Sequence, residues 1–171
     1  MGRQDMAEPV DVDNGLSVGG TSSDRHAAPA GAEVQAAQDA LMRFVRNFGL
    51  HQPDRTPCGQ PLPVSEAHAL AEIARDGPLR QIELARRLKL QKSSVSRLVA
   101  NLADRGWLHR HTADDDGRGV LLELTDAGTV AAARQADARR ARFTSLLDRI
   151  PDHDRATVVR VLQILAEATD D

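Results

Sequence analysis

Rings and thiols are scarce in this chain. Only 2% of its 171 residues are aromatic (Phe44, Phe48, Trp107 and Phe143), and there is no tyrosine. A core with so few rings has to be filled by Leu, Val, Ile and Ala, which favours packed helices over an aromatic-rich sandwich or barrel. The single cysteine, Cys58, excludes an intrachain disulfide framework and a multi-cysteine zinc cage. No run approaches the roughly 20 consecutive apolar residues of a membrane span. The first residues lack the apolar stretch of a secretory signal, and Met6 stands where an N-myristoylated start would want Ser or Thr. A soluble cytoplasmic chain without a membrane partner is expected, of a length suited to one domain with a tail.

Net charge is also small, −3, but unevenly spread. Residues 1–30 hold Arg3 and Arg25 against Asp5, Glu8, Asp11, Asp13 and Asp24, which accounts for the whole excess. Residues 80–112 instead carry Arg80, Arg86, Arg87, Lys89, Lys92, Arg97, Arg105 and Arg110 against only Glu83 and Asp104. An acidic average with a basic island suits a face that meets a polyanion, although an ordinary solvated helix face can carry such a run.

Residues 1–31 are rich in Gly, Ser, Asp, Ala and Pro and almost free of large apolar residues, so a disordered tail is expected there. From Glu33 to about Leu50, Val34, Leu41, Phe44, Val45 and Phe48 recur at helical spacing. A loop with Pro53, Pro57, Gly59 and Pro61 follows. A second helix is expected from Val64 to Arg75 with Leu70, Ile73 and Ala74 inward, ending at Asp76-Gly77-Pro78. A short third helix spans Gln81 to Leu88, then Lys89-Leu90-Gln91 turns into a fourth, Lys92 to Arg105, closed by Gly106. Trp107–His111 and Val120–Leu124 read as a hairpin around a polar tip. Thr125 is a plausible N-cap for a long helix to about Arg149, and Pro151 suits the first position of a last helix carrying Val158, Val161, Leu162 and Leu165.

The informative unit is short helix, turn, helix, hairpin. In residues 92–105, Val95, Leu98, Val99 and Leu102 occupy i, i+3, i+4 and i+7 and form the inward stripe. Ser93, Arg97, Ala100 and Asp104 then fall opposite, with Ser94, Ser96 and Asn101 on the flanks and Lys92 at the start. Small polar side chains that allow close approach to a major groove, plus one Arg able to fork onto guanine O6 and N7, are what a recognition helix needs. Ile82, Leu84, Ala85 and Leu88 supply the other half of the packed pair. An ordinary helical hairpin with a polar outer face is the competing reading. Arg118, in the hairpin tip, could enter a narrow minor groove.

In Leu79-Arg80-Gln81-Ile82-Glu83-Leu84-Ala85-Arg86-Arg87-Leu88, Lys92-Ser93-Ser94-Val95-Ser96-Arg97-Leu98-Val99, Gly106-Trp107-Leu108, Asp116-Gly117-Arg118 and Leu124-Thr125-Asp126-Ala127-Gly128, the chain resembles the MarR family of winged-helix regulators. The likeness covers about residues 33–168. It implies a mainly α, winged helix-turn-helix fold with a small β wing and long N- and C-terminal dimerisation helices. The domain would be 32–171, with dimerisation helices at about 33–50, 126–149 and 151–168 and the winged unit at about 64–125. It further implies a homodimer that presents two recognition helices and two wings to a palindromic double-stranded DNA operator, as a repressor released by a small-molecule effector. By the family's pattern Ser93, Ser94, Ser96 and Arg97 map onto base- and phosphate-contacting positions, Arg118 onto the wing-tip arginine and Asp116 onto the acid that steadies it; Lys92 and Asn101 complete the set of expected DNA-binding residues.

Other readings compete locally. Thr112, Asp114, Asp116, Gly117 and Glu123 nearly fit a calcium loop, but the first ligand is Thr and the flanks read as strands. Cys58 is a possible oxidant sensor, which would need a cationic neighbour. His51, Cys58, Glu66 and His68 are zinc-ligand types, yet Glu66 and His68 at i and i+2 point to different helix faces. Either would make the chain a sensor or protein-binding module without operator specificity. His109 and His111 flank Arg110 and read as phosphate-proximal strand residues. No nucleophile elbow, phosphate-cradling Gly loop or metal-binding His pair marks an enzyme, and no cofactor is expected.

Overall fold

The computed structural model describes residues 30–112 and 119–170. In order they form α1 (Gly31–Phe48), α2 (Val64–Asp76), β1 (Leu79–Arg80), α3 (Gln81–Arg87), α4 (Lys92–Asp104), β2 (Leu108–Thr112), β3 (Val120–Leu124), α5 (Asp126–Leu147) and α6 (Asp152–Ala168). The arrangement is mainly helical with a small antiparallel sheet of order β1-β3-β2. It is a winged helix-turn-helix flanked by longer helices. Among the described residues, no helix is long and apolar enough to cross a membrane.

The core lies inside the winged unit. Leu70 and Ile73 of α2, Leu84 of α3, Val95, Val99 and Leu102 of α4 and Leu122 of β3 are fully buried and belong to one cluster. The inward stripe of α4 is therefore the one its spacing predicts. Gly106 ends α4 in the left-handed region, φ 72°, as a residue past the C-terminus often does. Thr125 caps α5 by accepting from the Gly128 N–H at 2.9 Å, and its own hydroxyl donates to the Gly106 carbonyl at 2.7 Å. That pair of bonds ties the end of α4 to the start of the long helix.

Several expectations need correction. Gly31 opens α1 instead of ending a tail, because the Glu33 carboxylate reaches back to accept from the Ala30 N–H at 3.0 Å. The helix stops at Phe48, where Gly49 takes φ 89°. Ala74 is exposed; Ala67 and Ala69 are the small residues that α2 buries. Ile82 is 76% exposed, so α3 contributes Leu84 to the core without it. Pro151 precedes α6 as its cap residue instead of entering its first turn. The strand β1 is a new element, pairing Leu79 with Leu122 and Arg80 with Leu121. The tail as far as residue 29, and Asp114, Asp116, Gly117 and Arg118 of the hairpin tip, lie outside the described residues.

An ionic lattice joins α2 to α3. Arg87 contacts Glu72, Asp76 and Glu83, while Arg86 pairs with Glu83 at 2.6 Å and Arg75 with Glu72 at 2.6 Å. Hydrogen bonds from Arg86 and then Arg87 push the Glu83 carboxyl down to about 2 from its ordinary 4.5. Arg75 and then Arg87 likewise lower Asp76. A depressed carboxylate stabilises the fold above its unfolded pKa and loses that contribution as pH falls toward its folded one. The urea midpoint of Glu83→Gln should therefore lie below wild type at pH 5 and approach it at pH 3. A gap of constant size would remove the lattice from the stability of this unit.

Candidate nucleic-acid interface

Three short elements set the outward face of α4. The turn before it places Lys89 at φ 51°, an uncommon backbone for a non-glycine residue, and lets α4 leave α3 after only four residues. Val95, Leu98, Val99 and Leu102 anchor the inner side. Lys92, Ser93, Ser96 and Arg97 are exposed, and Ser94 is half-buried on the flank. The first two turns thus offer hydroxyls and a guanidinium with nothing bulky between them. Lys92 also lines a groove of about 380 Å³ with Arg80, Gln81, Ile82 and Val120, which places the wing strand and the start of α3 beside the start of α4.

On the wing, Arg110, His109 and His111 of β2 are exposed, and His111 Nε2 lies 3.3 Å from Glu123 Oε2. Asn101 is exposed, as Ser93 and Ser96 are, but has a partner on α2. Its amide donates to Glu66 Oε1 at 3.0 Å, so it reaches back to α2. Glu66 is only 3% exposed, and Arg105 Nε lies 3.5 Å from its other oxygen. The Arg105 guanidinium in turn sits 5.2 Å from the centre of the Trp107 ring. Sequence reading found neither Glu66 nor Arg105 as a partner of α4. The available signal was a carboxylate at the head of an otherwise apolar α2 stripe.

Cys58 and His68 line a cavity of about 230 Å³ bounded by Phe48, Arg139 and Arg142. Cys58 Sγ lies 3.0 Å from Thr56 Oγ1 and accepts from Gln135 Nε2 at 3.4 Å. Partial burial, and then the positive charge of Arg139, lower the His68 imidazole from its ordinary 6.5. Glu66 faces α4 while His68 faces α5, as their i, i+2 spacing requires. Among the described residues no three His, Cys, Asp or Glu side chains gather as a metal site would need. A second cavity, about 590 Å³, lies between Leu62, Leu70, Arg105, Trp107 and Arg134. Gln135 borders both, and its buried Oε1 has no hydrogen-bond partner among the described residues.

A sequence model of the MarR family matches residues 60–119, which contain α2, β1, α3, α4 and β2. An uncharacterised HTH-type transcriptional regulator of Mycobacterium leprae is 30% identical over 136 residues, 75% of this chain and 90% of that protein. Among solved structures, a MarR family transcriptional regulator from Streptomyces coelicolor in complex with DNA superposes with a TM-score of 0.67 at 24% identity, over 84% of this chain and 95% of that one. The PcaV transcriptional regulator of the same organism, in complex with its natural ligand, gives a TM-score of 0.63 at 19% identity, over 84% and 100%.

Proposed function

Because the chain belongs to the MarR family of DNA-binding transcriptional regulators, we propose that it works as a homodimeric, ligand-responsive repressor whose two α4 helices read a palindromic operator. The observation that carries this reading is the exposed front of α4. Ser93, Ser96 and Arg97 face outward from a helix anchored on its other side by four buried aliphatic residues. Arg97 would fork onto a guanine, the hydroxyls would take phosphates or base edges, and Lys92 would add charge at the helix start. The same reading assigns Arg118 to the minor groove with Asp116 as its support, and treats residues 32–171 as one working domain.

The apolar faces of α1 and α6 support the homodimer. Leu41 of α1 is 57% exposed and Leu165 of α6 is 53% exposed, and α6 buries no residue within one chain. Contiguous apolar surface on two long helices marks an interaction site, and a two-fold pairing of like helices would cover both at once. An effector seated between α1, α2 and α5, near Phe48, His68 and Arg142, would alter the spacing of the two α4 helices away from one DNA turn, about 34 Å. The Streptomyces coelicolor relative solved with its natural ligand supports a ligand-responsive reading of this fold.

Sedimentation equilibrium tests the assembly. Twice the 18.5 kDa chain mass is expected at micromolar concentration, and Leu165→Glu should shift the distribution to single chains. A single-chain mass for wild type, free and with duplex, would contradict the homodimer.

A further inference from the structure

We propose that Glu66 is a positioning residue for DNA reading: its buried carboxylate fixes the rotation at which α4 presents Arg97. This rests on the reading of α4 as the DNA-contacting helix. Glu66 lies in the first turn of α2, where a solvated acid would already complement the helix dipole. Here the side chain is instead withdrawn from water, 3% exposed, and turned to α4. Its Oε1 accepts from the Asn101 amide at 3.0 Å, and its Oε2 makes no hydrogen bond among the described residues, with Arg105 Nε at 3.5 Å. Stability alone does not account for this. A buried ion pair is often no better than a well-packed apolar residue of similar volume.

Direction is what the carboxylate adds. The cluster shared by α2 and α4 consists otherwise of aliphatic residues such as Ala67, Leu70, Val99 and Leu102. Apolar attraction is non-directional, so those contacts set which side of α4 is buried without a bond of fixed direction. Asn101 follows Arg97 by four residues, so the two lie about 40° apart around that axis, at 100° per residue. Any rotation that re-aims Arg97 must stretch the Asn101–Glu66 bond. Binding groups have to be held within roughly 10–20° of their productive geometry, and this bond supplies that restraint. Asn101 thereby acts through Glu66 and not at a base edge.

The test uses the full chain and a duplex selected by the wild-type protein. Glu66→Leu should unfold at or above the wild-type midpoint yet bind the selected duplex about tenfold more weakly, the lower end of the loss of an aligned Arg–guanine pair. Its preference over a scrambled duplex should shrink in step. Glu66→Gln, which keeps an acceptor for Asn101, should bind close to wild type. Asn101→Ala should relax base preference across all pairs under α4, and should add nothing in the Glu66→Leu background. Wild-type affinity and preference in Glu66→Leu would overturn the proposal, and so would a loss in Asn101→Ala confined to one base pair. The second result remains decisive if Glu66→Leu does not fold. A wild-type protein that selects no sequence at all would instead refute the parent reading of α4.

Discussion

Replacing Arg97 by alanine is expected to weaken binding to the selected operator by about 1–3 kcal/mol, roughly 5- to 150-fold, while binding to random duplex falls far less. The asymmetry follows from geometry. Arg97 is exposed at the end of the second turn of α4, with the small Ala100 and the polar Asn101 one turn beyond it. A side chain so placed can reach a base edge with both terminal nitrogens, and a bidentate pair to guanine discriminates against other bases. A phosphate contact would carry no such discrimination. Fluorescence anisotropy with the selected and a scrambled duplex, at matched salt, separates the two. Equal losses on both would show that Arg97 meets the backbone.

Gly128→Ala is expected to lower stability by about 3 kcal/mol, at the upper end of what inserting a single methyl into a packed site costs. A Cβ at this position would stand 1.9 Å from the Trp107 carbonyl oxygen and 2.8 Å from its carbon, which are backbone atoms that cannot rotate away. The first turn of α5 therefore packs directly on the chain leaving α4, and only glycine permits the approach. For a chain of this length the loss corresponds to roughly 6–12 °C in Tm. Thr129→Ala, on the exposed side of the same turn, should change stability by no more than about 0.5 kcal/mol. A Gly128→Ala protein that melts with wild type would show that α5 does not dock on Trp107. α5 also lines the His68 cavity through Gln135, Arg139 and Arg142, so this junction is one link between that cavity and the winged unit.

The parts legible in the sequence were those governed by local period. The α4 stripe gave both its buried side and its outward hydroxyls, because Val95, Leu98, Val99 and Leu102 leave one solution to a 3.6-residue period. The Gly106 stop and the Thr125 cap depend on neighbouring residues alone, and both stand where expected. What failed were short or long-range features. With two residues, β1 has no alternation to detect. In α3, seven residues make too little of a stripe to decide whether Ile82 or Leu84 points inward. Periodicity in α1 and α6 marks an apolar face without saying what covers it. In one chain Val34, Leu41, Val161 and Leu165 stay exposed. The Asn101–Glu66 bond spans 35 residues, beyond the reach of any local pattern.

Selection of bound sequences from a pool of random duplexes, run at two salt concentrations, tests most directly whether α4 reads DNA in pairs. Enrichment of an inverted repeat with half-site centres about one helical turn apart is the expected outcome. It should persist at the higher salt while total binding falls, because salt cations compete with the basic side chains for the phosphates. Binding that weakens with salt but enriches no sequence would show that the basic island grips phosphates only. An enriched site without two-fold symmetry would contradict the paired presentation of α4.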